Sequence, residues 1–184
     1  GVNVPEINLT IDNPTEKDIN STGTIGKLEQ RLRLPDGTVK ALVEGQDRAR
    51  IERFSTENDF FQVLVEKINE PVVPEAEATA LIRSVIKEFE EYASVNKNIS
   101  KELVTNAAVI EDSSQLADTV ASHFSFKIED KQKLLETLSP TDRLGLLLSL
   151  IKMEIEVFRM DQRIKSRVKE QMEKTQKNYY LNEQ

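Results

Sequence analysis

The chain contains no cysteine, no tryptophan and a single histidine in 184 residues. Without cysteine there is no disulfide framework, no thiolate nucleophile and no thiolate metal site. That absence fits a reducing compartment, and a cytoplasmic location is expected. A lone histidine, His123, gives no second imidazole for a metal. Near the end of an amphipathic helix it is expected to pack or to cap. Aromatic residues make up 5% and hydrophobic residues 38% of the chain, low for a globular domain, which favours extended or helical architecture over one thick core. No apolar run approaches the ~20 residues that span a bilayer, and no signal-peptide pattern opens the chain. A membrane partner is therefore not expected.

The chemistry inventory is nearly empty. No tight cluster of acids supplies metal ligands, and no nucleophile elbow or G-x-G-x-x-G pattern occurs. Gly26–Lys27 lacks both the upstream glycine and the following Ser/Thr that a phosphate-cradling loop needs. No catalytic residue, metal site or cofactor site is expected in these residues. The net charge of −7 and pI of about 5.0 make nucleic acid an unlikely general partner, because phosphate binding needs clustered Lys and Arg. The charge is uneven, however. Between Arg159 and Lys177 seven basic residues oppose three acids, a net of +4, leaving −11 for the rest. Such a segment is ordinarily a solvated helix face that complements a neighbour.

From Thr22 to Asn69 the texture is that of strands. "GTIGKLEQRLRL" alternates apolar and polar residues, with a phase shift near Gly26–Lys27. "PDGT" is a turn signal, and "VKALVEG" completes a hairpin. Gly45 predicts a break at a bulge or corner. "ARIERFS" and "DFFQVLVEKIN" predict a third and a fourth strand. Four short strands make a small antiparallel sheet or barrel with a thin core.

Beyond Pro71 and Pro74 the period changes to that of helices. Leu81, Ile82, Val85, Ile86, Phe89 and Ala93 recur at three- and four-residue steps. Ser100 is placed to cap a shorter helix running to Ile110, and Ser113 or Ser114 to cap another carrying Leu116, Val120 and Phe124. "EDKQKLLETL" predicts a fourth. "SPTD" opens the last, with Ser139 as N-cap and Pro140 at N1. No breaker follows except Gly145, so this helix is expected over about 140–184. Its early part is dense (Leu144, Leu147, Leu148, Ile151, Ile155, Phe158). Its later part thins to one stripe: Met153, Val157, Met160, Ile164, Val168, Met172, Thr175 and Tyr179. The helix ends in mid-pattern at "KNYYLNEQ" without a C-cap. The stripe is read as a surface that pairs with another helix or takes apolar polypeptide, and Met153, Val157, Met160, Ile164, Val168, Met172 and Tyr179 are its candidate binding residues. For the methionines the alternative is an ordinary coiled-coil seam. A second candidate surface lies on the hairpin around Leu32, Leu34 and Val39.

Three ordered motifs carry a family resemblance. "GTIGKLEQRLRLPDGTVKALVEGQDRARI" (Gly23 to Ile51), "LADTVASHF…KIEDKQKLLETLSPTDRL" (Leu116 to Leu144) and "RVKEQMEKTQKNYYLNEQ" (Arg167 to Gln184) resemble the N-terminal substrate-binding domain of the Lon ATP-dependent proteases. The resemblance implies an α+β fold. It comprises a small, incomplete PUA-like β-sheet or barrel subdomain over residues 1–70 and a linker at 71–74. A helical bundle over 75–158 and a projecting helical arm over 159–184 follow. It implies that the last helix leads into an AAA+ ATPase and a Ser–Lys protease domain absent from these residues, with ATP and magnesium needed only there. The chain is then a fragment without enzymatic activity of its own. The family opens with an apolar strand, a second strand and a helix; here only Gly1 to Asp12 precede "NPTEKDI". Either "GVNVP" is a remnant of a first strand, or the barrel lacks a wall and its uncovered face needs a partner chain.

The implied partners are unfolded or damaged proteins, with self-association: a hexamer for the full-length protein, a monomer or dimer for the fragment. The implied task is recognition and assembly, holding clients for delivery to the ATPase pore. The alternative is a stand-alone adaptor that binds one protein or, through its basic arm, RNA. The two halves are expected to separate by cleavage between Asn69 and Glu75.

Overall fold

The computed structural model describes residues 2–3, 14–55 and 60–182. The fold is α+β: an antiparallel sheet followed by five helices, the last of them long. Strands β1 (Val2–Asn3), β2 (Thr22–Arg33), β3 (Val39–Ser55) and β4 (Gln62–Lys67) lie in the order β1-β2-β3-β4. Val2 and Asn3 pair with Ile25 and Thr24, so part of "GVNVP" is indeed strand; Val4 and Pro5 lie outside the described residues.

The β2–β3 hairpin turns at the expected residues. The Gly37 N–H donates to the Leu34 carbonyl at 3.0 Å and the Leu34 N–H to the Thr38 carbonyl at 2.8 Å. Gly37 has φ +89°, which a side-chain-bearing residue rarely adopts. This is a three-residue turn with Pro35 at a position that suits its fixed φ. The Asp36 carboxylate accepts the Thr38 N–H at 2.9 Å; that bond and one from the Thr38 hydroxyl hold its pKa below the ordinary value.

Gly45 does not divide the strand. β3 is one strand of 17 residues, and the expected interruption is a bulge: Ile25 pairs with Asp47 but Gly26 with Gly45, leaving Gln46 extra. A bulge absorbs one residue and bends the strand without ending it. Further register shifts fall between Leu28 and Gln30 and between Ile51 and Arg53.

The helices are α1 (Glu75–Val95), α2 (Lys101–Ala108), α3 (Ser113–Ser122), α4 (Ile128–Glu136) and α5 (Pro140–Asn182). α1 starts after Pro74 with Glu75 and Glu77 in its first turn, where acids offset the helix dipole. Ser100 caps α2, its hydroxyl accepting the Leu103 N–H at 3.3 Å; that helix stops at Ala108. The cap of α3 is Asp112, not Ser113 or Ser114: its carboxylate accepts the Gln115 N–H at 2.7 Å. The two serines lie one and two positions too late, already in the first turn.

The chain forms two compact units, residues 1–72 with 126–139, and residues 73–125 with 140–184. They differ from the sequence division in two places: α4 is apart from the bundle, and the arm over 159–184 is not. α4 belongs with the sheet, where it packs on β2. Arg48 Nε donates to the Leu135 carbonyl at 3.1 Å, and its Nη1 lies 3.2 Å from a Glu70 carboxylate oxygen. Gln132 Nε2 donates to the Thr22 carbonyl at 3.1 Å. These polar side chains tie the end of the sheet to a helix that follows it by more than fifty residues. A break between Asn69 and Glu75 would therefore leave α4 on the other fragment.

The second unit is a helical bundle. α1 and α3 pack on the first half of α5. Val85, Phe89, Leu116, Val120, Leu144, Leu147 and Ile151 have no exposed surface, and each such side chain contributes roughly 1.5–3 kcal/mol by leaving water. Tyr92 stacks on Phe124 with centroids 4.5 Å apart. His123 ends α3 as its C-cap and stacks on Phe89 at 5.9 Å; it packs and caps. Arg143 is fully buried: its Nη1 donates to Ser114 Oγ at 2.9 Å and lies 3.6 Å from Asp118 Oδ1. A buried guanidinium is tolerable only with such partners.

Candidate binding surface

α5 spans 43 residues, about 65 Å at 1.5 Å per residue. Its sequence explains the length. Pro140 opens it, Gly145 costs about 1 kcal/mol in mid-helix, and no further glycine or proline follows. Up to Ile155 it buries one face against the bundle. From Arg159 to Tyr179 every residue is exposed. At the edge of the bundle Arg159 pairs with Glu91 of α1.

The candidate residues Met153, Val157, Met160, Ile164, Val168, Met172 and Tyr179 lie on this helix. At 100° per residue they fall within an arc of about 120°, running about 39 Å along the axis. Each keeps between 52% and 68% of its surface exposed. Charges flank the stripe: Lys165 pairs with Asp161 at 2.6 Å and Lys169 with Glu173 at 4.0 Å. Both are solvated i,i+4 pairs worth a few tenths of a kcal/mol.

Leu34 is not on this helix. It lies at the hairpin turn in the other unit and is half-buried. The hairpin beyond Gly26 carries its own exposed apolar residues, Leu28, Leu32, Val39, Leu42 and Val43. The extra residue at Glu29 puts Leu28 and Leu32 on opposite faces, so they make no single patch. Leu28, Leu42, Phe60 and Leu64 are exposed positions that sequence reasoning did not single out as surface.

Among the described residues no group of three or more His, Cys, Asp or Glu is placed to hold a metal. No helix among them is long and apolar enough to cross a membrane.

Comparison with known proteins adds the family. A model of the ATP-dependent protease La (LON) substrate-binding domain matches residues 2–153, and so ends where the exposed stripe begins. A Lon protease of Rhizobium meliloti is 52% identical over 98% of this chain, and one of Azospirillum brasilense 47% over 98%. In each case the chain spans 22% of the relative's length. A solved N-terminal domain of Mycobacterium avium complex Lon protease superposes with a TM-score of 0.64 at 26% identity, covering 76% of this chain and 74% of its own. The sheet, the helices and the sequence thus agree, and the chain belongs to the Lon substrate-binding domain family.

Proposed function

We propose that this domain takes hold of unfolded or damaged polypeptide through the exposed stripe of α5. On this reading it presents its clients to an ATPase and protease carried elsewhere in a longer cytoplasmic protein. The observation that carries the reading is the stripe itself: seven apolar or aromatic side chains on one arc of a helix, each more than half exposed. Apolar surface in water binds apolar surface. Methionine suits varied clients because its flexible thioether repacks at small cost. One such stripe binds weakly, and several copies brought together raise the effective concentration. The same stripe supports self-association of the domain, as a monomer–dimer equilibrium alone and a hexamer at full length. Nucleotide hydrolysis and peptide cleavage belong outside this chain.

The basic character of the arm keeps one competitor in play, an adaptor that binds RNA. A titration separates the two. The client reading expects saturable binding of a reduced, carboxymethylated model protein that persists at high salt, with negligible affinity for RNA. Tight RNA binding that collapses as salt rises, without binding of the unfolded protein, would replace it.

A further inference from the structure

The chain has three methionines and no cysteine, so every sulfur atom in it is a thioether. All three lie on one helix and on one stripe: Met153, Met160 and Met172 are 61%, 53% and 68% exposed. Nothing in the sequence requires this. A flexible apolar side chain is ordinarily used to fill gaps in a core, and the core of this bundle contains no methionine. Of the other stripe residues, Val157, Ile164, Val168 and Tyr179, the first three are saturated hydrocarbon and inert to mild oxidants.

We propose that these three thioethers are a reversible oxidation site that switches the stripe between an apolar and a polar state. The oxidant is hydrogen peroxide. A lone pair on Sδ attacks the O–O bond; one oxygen atom is transferred to sulfur, and the other leaves as water once the proton has moved to it. Sulfur loses two electrons and the peroxide gains them. The product, methionine sulfoxide, is polar and a strong hydrogen-bond acceptor. It no longer gains by leaving water. Reversal takes two thiol equivalents: the sulfoxide oxygen departs as water and a disulfide forms on the reductant. Because the sulfoxide sulfur is a stereocentre, complete repair needs reductases for both epimers. The absence of cysteine makes the switch specific, since no thiol in the chain competes for the oxidant.

The effect on clients rests on the function proposed above, and the test separates the two. The intact chain is treated with dilute hydrogen peroxide in native buffer, then with methionine sulfoxide reductases A and B and dithiothreitol. Mass spectrometry counts the oxygens added, hydrophobic-interaction chromatography reads the polarity of the stripe, and a carboxymethylated model protein reads binding. The expected result is three oxygens, added about as fast as to methionine in an unfolded peptide. Earlier elution, client binding weaker by on the order of tenfold, and recovery of both after repair complete it. The triple variant Met153→Leu, Met160→Leu, Met172→Leu should ignore peroxide: its mass, its elution and its client binding, whatever their starting values, should be the same before and after treatment. Slow oxidation of the folded chain, or oxidation with unchanged elution, would overturn the site. Rapid oxidation with earlier elution but unchanged client binding would overturn the switch. If the untreated chain binds no client, the proposed function fails, while mass and elution still decide the oxidation site.

Discussion

The two halves of α5 carry apolar residues at the same three- and four-residue steps, yet their surroundings are opposite. Leu144, Leu147 and Ile151 have no exposed surface, whereas Ile164 and Val168 each keep 52%. The difference lies in density. Between Leu144 and Phe158 apolar residues occupy more than one face, and α1 and α3 pack there. Beyond Arg159 a single stripe remains, hemmed by charge. Periodicity reveals that a helix has an apolar face. Only the width of that face indicates whether its own domain covers it.

Truncation gives the largest test of this contrast. Ile151→Ala should destabilise the bundle by about 2–5 kcal/mol, the usual range for emptying a packed site. Ile164→Ala, the same chemical change thirteen residues later, should fall within about 0.5 kcal/mol. Urea unfolding followed by circular dichroism compares them, and similar losses would show that the distal stripe is core.

A second test probes the buried half through its charge. Arg143→Ala removes a fully buried side chain and its bonds to Ser114 and Asp118. A cost of about 2–4 kcal/mol is expected, below the full price of a broken buried pair because the Asp118 side chain is 47% exposed and can hydrate. A loss below 1 kcal/mol would mean that solvent reaches the site. The smallest effect belongs to the boundary. Arg159→Ala removes an exposed ion pair with Glu91 and should cost no more than about 1 kcal/mol, less at high salt. A larger loss would move the end of the bundle outward.

The same contrast explains what was legible in the sequence. The hairpin was, because Pro35, Asp36 and Gly37 each have a distinct backbone reason for their place. α5 was, because nothing in it breaks a helix. The uninterrupted β3 was not: Gly45 marks an irregularity, but glycine does not distinguish a bulge from a strand end. The docking of α4 on the sheet was hidden for another reason. Arg48 and Gln132 make their bonds to backbone carbonyls of Leu135 and Thr22, and a carbonyl leaves no trace in residue type. The stripe of α5 was readable as a pattern, and its exposure followed from length: a helix of about 65 Å outruns a bundle of this size.

The central claim is that the distal stripe binds rather than folds, and the double variant Met160→Glu, Ile164→Glu tests it most directly. Two carboxylates are placed on the seam without touching the buried half. Thermal unfolding by circular dichroism, light scattering and titration with a carboxymethylated client are measured on the same sample. The account predicts an unchanged unfolding transition, with client binding and self-association both reduced by on the order of tenfold or more. A variant that unfolds with the whole bundle, or that stays folded and binds and associates as before, would contradict it.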